Sequence, residues 1–419
     1  MADLNSICSK LNRRILPLII VMFFLSLLDR TNLSFVKGHI EASAGIGAAA
    51  YALGAGIFFI GYAAFEIPSN LYLHRFGARI WLSRIMITWG LVTAAMIFIR
   101  DETSFYILRF LLGLAEAGFS PGVILYLSYF YPPSHRSRAY GFYQQGAPLA
   151  FVFGSIISTA ILDYFPPVYF ANWQWMFLIE GALTVLVGIF ALFYLDDKPS
   201  SCKWLSQEEK SLLIANLEEH EAPSELPLAK TFANITVWKF VFVYFCIQLS
   251  VYGVLFYLPT KISQFLGTSV GLKVGLLTAA VWVSVFVGLP LLTGLADRAK
   301  AWRKYAIALL LLATLSMVAA ALSPNLALFI VCMAFAAIGF ICIQPIFWNL
   351  PTQFLKGKSA AAGIALIGAL GNLGGFVAPN LKNWAEVSTG ASYAGLMALA
   401  GVAIWGVLTL LALKEADKK

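Results

Sequence analysis

Apolar stretches of roughly twenty residues recur a dozen times along this chain, separated mostly by short polar loops. A helix needs about 20 largely apolar residues to cross the hydrocarbon core of a bilayer. The stretches fall near 15–37, 51–73, 81–99, 105–131, 138–162 and 172–195, and then near 237–266, 270–295, 303–323, 326–354, 359–384 and 391–414. Hydrophobic residues make up 60% of the chain and charged residues 12%. Soluble domains hold roughly 45–50% and 25%, so water alone cannot solvate this surface and a lipid bilayer must. The expected fold is an all-α membrane protein: twelve transmembrane helices in two six-helix bundles, 1–195 and 237–419, joined by a hydrophilic connector at 196–236.

The basic residues test that layout. With the N-terminus placed in the cytoplasm, the inner segments hold 22 of the 29 Lys and Arg, and the outer ones hold Lys37, Arg100, Lys261, Lys273 and Lys382. Loops facing the cytoplasm carry such an excess, so both termini are expected inside. The net charge of +8 is thus spread over loops rather than gathered in one patch, and no nucleic-acid-binding signature accompanies it. Lys10, Arg13 and Arg14 precede a first apolar run too long for a signal-peptide core and without a small-residue cleavage site. It reads as a retained span. In the connector, Ser206 and Glu209 have capping-box spacing ahead of Leu212 and Leu213, which predicts a short amphipathic helix near 207–220.

Five cysteines provide no disulfide framework. Cys246, Cys332 and Cys342 lie inside apolar runs as small hydrophobes, and Cys8 and Cys202 are expected as reduced surface thiols. Only four histidines occur (His39, His74, His135 and His220), all in loops or at span ends. No His-Glu-x-x-His, Gly-x-Ser-x-Gly, Cys-x-x-Cys or phosphate-binding Gly-x-x-x-x-Gly-Lys-Ser/Thr motif is present, so neither an enzyme nor an ATP-driven pump is expected. No cofactor, metal or obligate protein partner is expected either.

The two halves echo each other. Leu73-His74-Arg75-Phe76-Gly77-Ala78-Arg79 between spans two and three answers Ala296-Asp297-Arg298 with Arg303 and Lys304 between spans eight and nine. Gly118-Phe119 in span four answers Gly339-Phe340 in span ten. Repeated bundles enclosing a midplane site are the architecture of secondary transporters.

Charges at bilayer depth cost at least about 2.5–3.5 kcal/mol and therefore face protein or water. The candidates are Asp29, Arg30, Glu66, Arg109, Glu116 and Glu180, all in the first half. Arg109 and Glu116 stand seven apart, two turns along one helix face and about 10 Å apart at 1.5 Å per residue, which excludes a direct pair but lets both line one cavity. Asp29 and Arg30 are adjacent and diverge by about 100°, so one can face a cavity while the other contacts a neighbouring helix. Glu66 and Glu180, nearer span ends, read as structural hydrogen-bonding groups. The second half supplies neutral polar groups: Tyr244, Gln248 and Tyr252 form a stripe at spacing four, and Gln344, Trp348 and Asn372 come from spans ten and eleven. Amides can also join helices, and the glycines of 371–375 suit close helix approach. Charge in one half and hydroxyl-binding groups in the other fit an anionic, hydroxyl-bearing organic acid.

Particular runs carry a family resemblance. They are Leu28-Asp29-Arg30-Thr31-Asn32, Glu66-Ile67-Pro68-Ser69-Asn70-Leu71, Arg109-Phe110-Leu111-Leu112-Gly113-Leu114-Ala115-Glu116-Ala117-Gly118, and Trp175-Met176-Phe177-Leu178-Ile179-Glu180-Gly181. Phe347-Trp348-Asn349-Leu350-Pro351-Thr352 and Gly371-Asn372-Leu373-Gly374-Gly375 complete the set. Over nearly its whole length the chain resembles the major facilitator superfamily and, within it, the anion:cation symporter family of phthalate, tartrate, galactonate and rhamnonate permeases. The resemblance implies proton-coupled import of an organic carboxylate across a bacterial inner membrane. It assigns proton coupling to Asp29 and substrate-anion binding to Arg30, and matches Tyr62 to a substrate-site tyrosine. The chain departs from the superfamily's loop motif at His74, where an Asp is usual and this family often tolerates the change; it departs from relatives at Gly368, where they often carry Asn, and at Ala147, where galactonate carriers resemble a Gln-bearing span. The expected proton-coupling residues are Asp29 and Glu116; the expected substrate-binding residues are Arg30, Tyr62, Arg109, Gln248, Tyr252, Trp348 and Asn372. A uniporter or anion exchanger of the same fold, and more remotely a membrane sensor, are the alternatives; Asp29 with Glu116 favours symport.

Overall fold

The computed structural model describes residues 3–217, 233–354 and 358–413, and among them every regular element is helical. The first half runs α1 Leu4–Arg14, α2 Leu16–Ala44, α3 Ala48–Phe76, α4 Ala78–Ala95, α5 Glu102–Glu116, α6 Phe119–Phe130, α7 Pro133–Gln144, α8 Gly146–Tyr164 and α9 Asn172–Tyr194. The connector holds α10, Gln207–Ala215. The second half runs α11 Ile235–Leu255, α12 Leu258–Leu266, α13 Leu272–Ala299, α14 Trp302–Ala321, α15 Leu326–Trp348, α16 Pro351–Phe354, α17 Lys358–Gly371, α18 Gly374–Thr389 and α19 Ala394–Ala412.

Among the described residues, eleven helical stretches are long and apolar enough to cross a membrane, and they coincide with eleven of the expected spans. The remaining one, 359–384, consists of α17 and α18, interrupted at Asn372 and Leu373. Several spans are broken in this way. Span four divides after Glu116, because Gly118 adopts φ +84° and a Cβ there would lie 2.4 Å from Ser69 Oγ. Only glycine meets both conditions at no steric cost. Prolines stand inside α3, α13, α15 and α18, as membrane helices tolerate when neighbours satisfy the freed carbonyls.

Packing follows one scheme in both halves. In the first, α4 packs on α9, α3 on α5, and α2 on α8 and α9. In the second, α14 packs on α19, α13 on α15, and α11 on α17, α18 and α19. Spans three–six, two–four, one–five and one–six therefore correspond to nine–twelve, eight–ten, seven–eleven and seven–twelve. The halves meet through α8 on α13 and α3 on α18. Gly275 permits the first approach, since a Cβ there would fall 1.9 Å from Thr159 Oγ1, and the Phe151 and Trp282 rings continue that seam with centroids 4.5 Å apart. Small residues set such helix approaches in lipid. The Gly-rich run does the same: a Cβ on Gly374 would lie 2.3 Å from the Phe245 carbonyl.

One element is additional to those expected, and two expectations need correction. The first span is preceded by a separate amphipathic helix, α1, which buries Ile7, Cys8 and Leu11. Its Asn12 Oδ1 accepts from Tyr131 Oη at 3.0 Å, and Lys10 pairs with Glu209 of α10. The connector helix shows the expected reciprocal cap, Ser206 N to Glu209 Oε2 at 2.9 Å and Glu209 N to Ser206 Oγ at 3.2 Å, but stops at Ala215 instead of 220. Residues 218–220 of that expected helix lie outside the described residues. Finally, Cys8 and Cys202 are not surface thiols. Both are buried, because α1 and the connector pack against the bundle end, and burial pushes the Cys202 thiol up to about 12.

Candidate functional site

The site forms where α2, α3 and α5 of the first half meet α11 of the second. Arg30 lies near the middle of α2, and Glu116 is the last residue of α5, held there by the break at Gly118. A carboxylate at a helix C-terminus faces the unfavourable end of the helix dipole, and here it is matched by a cation. Arg30 Nε donates to Glu116 Oε1 at 2.7 Å, and a second guanidinium nitrogen lies 2.7 Å from the same oxygen. Ser26, one turn before Arg30, donates to that oxygen at 2.7 Å as well. Glu116 is fully buried, and its other oxygen, Oε2, has no hydrogen-bond partner among the described residues. The Arg30 side chain keeps 13% of its surface exposed, against none for Glu116.

Arg30 also spans the two halves. Its Nη1 donates to Tyr252 Oη on α11 at 2.9 Å. Tyr252 packs edge-on against Phe59 of α3, centroids 4.4 Å apart. The guanidinium lies 5.0 Å from the Tyr62 ring and 5.4 Å from the Phe58 ring, within cation–π range. One arginine therefore contacts an anionic residue, an aromatic wall and the opposite half.

Asp29 points elsewhere, as the divergence of adjacent side chains requires. Its Oδ2 accepts from Trp89 Nε1 of α4 and from Thr184 Oγ1 of α9, the latter at 3.3 Å. Its Oδ1 is buried without a partner among the described residues. Glu180, one turn before Thr184, is only 1% exposed and accepts from Ser158 Oγ at 2.7 Å and Asn32 Nδ2 at 2.9 Å. Asp29 and Glu180 thus occupy the interior of the first half, behind the Arg30 group. Glu66 lies one turn beyond Tyr62 on α3, with its Oε2 buried and without a hydrogen-bond partner among the described residues.

Arg109 is 2% exposed and makes its hydrogen bonds on α3, donating to the carbonyls of Gly54 at 3.2 Å and Ala55 at 3.4 Å. The Phe58 ring that lies 5.4 Å from Arg30 also lies 5.0 Å from Arg109. In the second half, Gln248 Nε2 donates to Asn372 Oδ1 at 2.7 Å, with Asn372 placed at the break between α17 and α18. Tyr244 packs on Trp348 with centroids 4.9 Å apart, and Gln344 and Trp348 remain partly exposed. Ser26, Trp89, Thr184 and Phe59 escaped the sequence reading. Ser26 carried a usable signal, its spacing of four from Arg30; the other three read as ordinary apolar-span residues.

Comparison with known proteins fits this arrangement. The sequence profile of the Major Facilitator Superfamily matches residues 19–379. The chain is 40% identical over 415 residues to the inner membrane transport protein RhmT of Escherichia coli, covering 99% of this chain and 96% of that one. It is 38% identical over 413 residues to a putative tartrate transporter of Agrobacterium vitis, covering 98% and 92%. Its fold superposes on a partially occluded, inward-open structure of the xylose transporter XylE from E. coli with TM-score 0.74 at 15% identity, covering 96% and 98% of the two chains. The chain is an integral membrane transporter, not an enzyme, and belongs to the major facilitator superfamily.

Proposed function

We propose that the chain is a proton-coupled symporter that imports an organic carboxylate, a sugar acid or hydroxy acid, by alternating access of the halves 1–195 and 237–419. The bacterial inner membrane with both termini cytoplasmic is the corresponding location. The observation that carries this reading is the contact of Arg30 with Glu116 at 2.7 Å, made by a guanidinium that also reaches Tyr252 across the halves.

The coupling follows from competition. An ionised Glu116 and an incoming carboxylate are two anions seeking one planar guanidinium. Bringing the anion in while Glu116 stays charged would place two carboxylates around a single buried cation. A proton on Glu116 removes its charge and releases Arg30 for the substrate, so proton and anion bind together. Loss of the proton restores the internal pair and displaces the anion. Asp29, held by Trp89 and Thr184 away from Arg30, is a second protonatable carboxylate whose charge state adjusts the packing of α2 against α4 and α9. The Gln248 and Asn372 amides, bonded to each other at 2.7 Å, take the substrate hydroxyls in this reading, with Tyr62 and Trp348 against its carbon skeleton. In this reading Arg109 braces α5 against α3 through the Gly54 and Ala55 carbonyls and does not touch the anion. The tartrate-transporter relative supports a hydroxy-acid substrate.

Uptake into proteoliposomes with an imposed inside-alkaline gradient tests the function. A panel of tartrate, sugar acids, aromatic acids and uncharged polyols should yield accumulation of at least one hydroxy-carboxylate, abolished when the gradient is collapsed. Transport of an uncharged polyol alone would remove the anion reading. Accumulation indifferent to the gradient would favour a uniporter or exchanger.

A further inference from the structure

At the end of the spans opposite the connector, cations from both halves converge on one aromatic ring. Tyr257 stands at the break between α11 and α12. Lys382 of α18, in the same half, places its Nζ 3.8 Å from the Tyr257 ring centroid. Lys37 of α2, in the other half, places its Nζ 5.1 Å from the same centroid. Tyr51 of α3 meets that ring edge-on with centroids 6.0 Å apart. Lys382 is 2% exposed and shares Glu386 with Lys261, at 2.8 Å and 3.6 Å. The function proposed above uses none of these groups.

The arrangement has the properties of a reversible closure. An ammonium taken out of water is held by an aromatic face through the ring quadrupole, yet it regains full hydration when withdrawn. Lys382 and Glu386 sit on the Tyr257 side and remain together when the halves part. Of the contacts made by the Tyr257 ring, those of Lys37 and Tyr51 cross the boundary; at this end Leu272 N also donates across it to Asp163 Oδ2 at 2.7 Å. The tyrosine hydroxyl adds little, since it reaches the Pro379 carbonyl only at 3.5 Å, at the outer limit for such a bond.

We propose that Tyr257 is the gate residue of this end, a cation–π lock that holds the halves together until Lys37 leaves its ring. The proposal rests on the alternating-access reading but on neither the substrate nor the proton coupling. Spin labels at exposed Ser43 and Gln264, in a background lacking the partly exposed Cys332, report the separation of the two halves at this end in nanodiscs. The measurement needs no substrate and no pH gradient, so its result stands apart from any transport assay. Tyr257→Leu and Lys37→Met should each enlarge the separated population, on the order of three- to thirtyfold for loss of a desolvated cation–π contact. Tyr257→Phe, which keeps the ring, should leave the distance distribution as in the parent. Unchanged distributions in both Tyr257→Leu and Lys37→Met overturn the proposal. So does a shift in Tyr257→Phe as large as in Tyr257→Leu, since that would place the lock on the hydroxyl.

Discussion

Glu116 meets Arg30 at 2.7 Å although the two residues come from different spans, and the same guanidinium holds Tyr252 of the opposite half at 2.9 Å. One oxygen of Glu116 takes Arg30 and Ser26 together, while the other has no partner among the described residues. A charge pair buried in this way is costly to break from one side only. The proposed cycle breaks it by neutralising Glu116 and supplying a second anion at once.

Arg30→Lys keeps the charge and loses the planar fork. Lysine cannot address Glu116, Tyr252 and a substrate carboxylate with fixed, parallel donors. Affinity for the transported carboxylate is expected to fall by about ten- to a hundredfold, the equivalent of one charged hydrogen bond of roughly 1.5–3 kcal/mol. Calorimetric titration of purified protein checks this, and unchanged affinity would take Arg30 out of the site.

Arg109→Met should behave as a stability variant. The carbonyls of Gly54 and Ala55, inside α3, lose the additional charged donor that Arg109 supplies, at a cost on the order of 1–3 kcal/mol. A lower unfolding temperature is expected, with KM changed by less than about threefold in the protein that remains folded. A collapse of affinity at unaltered unfolding temperature would return Arg109 to the anion site.

How far the sequence could be read depended on whether a contact follows from helix geometry alone. The spans, the separation of Arg109 from Glu116 and the divergence of Asp29 from Arg30 all follow from fixed helical rise and turn. The partner of Glu116 did not, because Arg30 lies 86 residues away on another helix and reaches it only through the tertiary arrangement of the bundle. Arg109 looked like a cavity residue because an intramembrane arginine is functional by default; two backbone carbonyls supply its partners instead, and carbonyls leave no mark in a sequence. The helix α1 is hard to read from sequence because its apolar face is short, burying only Ile7, Cys8 and Leu11. The glycines at 118 and 371–375 were visible, but the breaks they create, which place Glu116 and Asn372, required the fold.

The contact of α1 with α10 should depend on pH. The hydrogen bond from Lys10, then that from the Ser206 backbone, holds the Glu209 carboxyl below its ordinary value of 4.5. A depressed carboxylate stabilises the folded arrangement above that value and ceases to as pH falls through its folded value. Hydrogen exchange in residues 4–14 should therefore be slow at pH 7 and faster, relative to intrinsic rates, below about pH 4. Glu209→Gln should show the faster exchange at both pH values. Equal protection in parent and variant at pH 7 would mean that the pair does not anchor α1.

In the proposed cycle Glu116 gives up Arg30 when it takes a proton. Glu116→Gln approximates the protonated state in shape and charge, and Asp29→Asn does so at the second carboxylate. In proteoliposomes charged with the carboxylate identified by the uptake panel, both variants should still exchange labelled for unlabelled substrate, a step that moves no net proton. Glu116→Gln should lose accumulation under an inside-alkaline gradient, with Asp29→Asn reducing it to an independent extent. The decisive comparison is gradient-driven accumulation against exchange in Glu116→Gln: exchange retained with accumulation lost is the predicted result, and accumulation at the parental level would contradict the account.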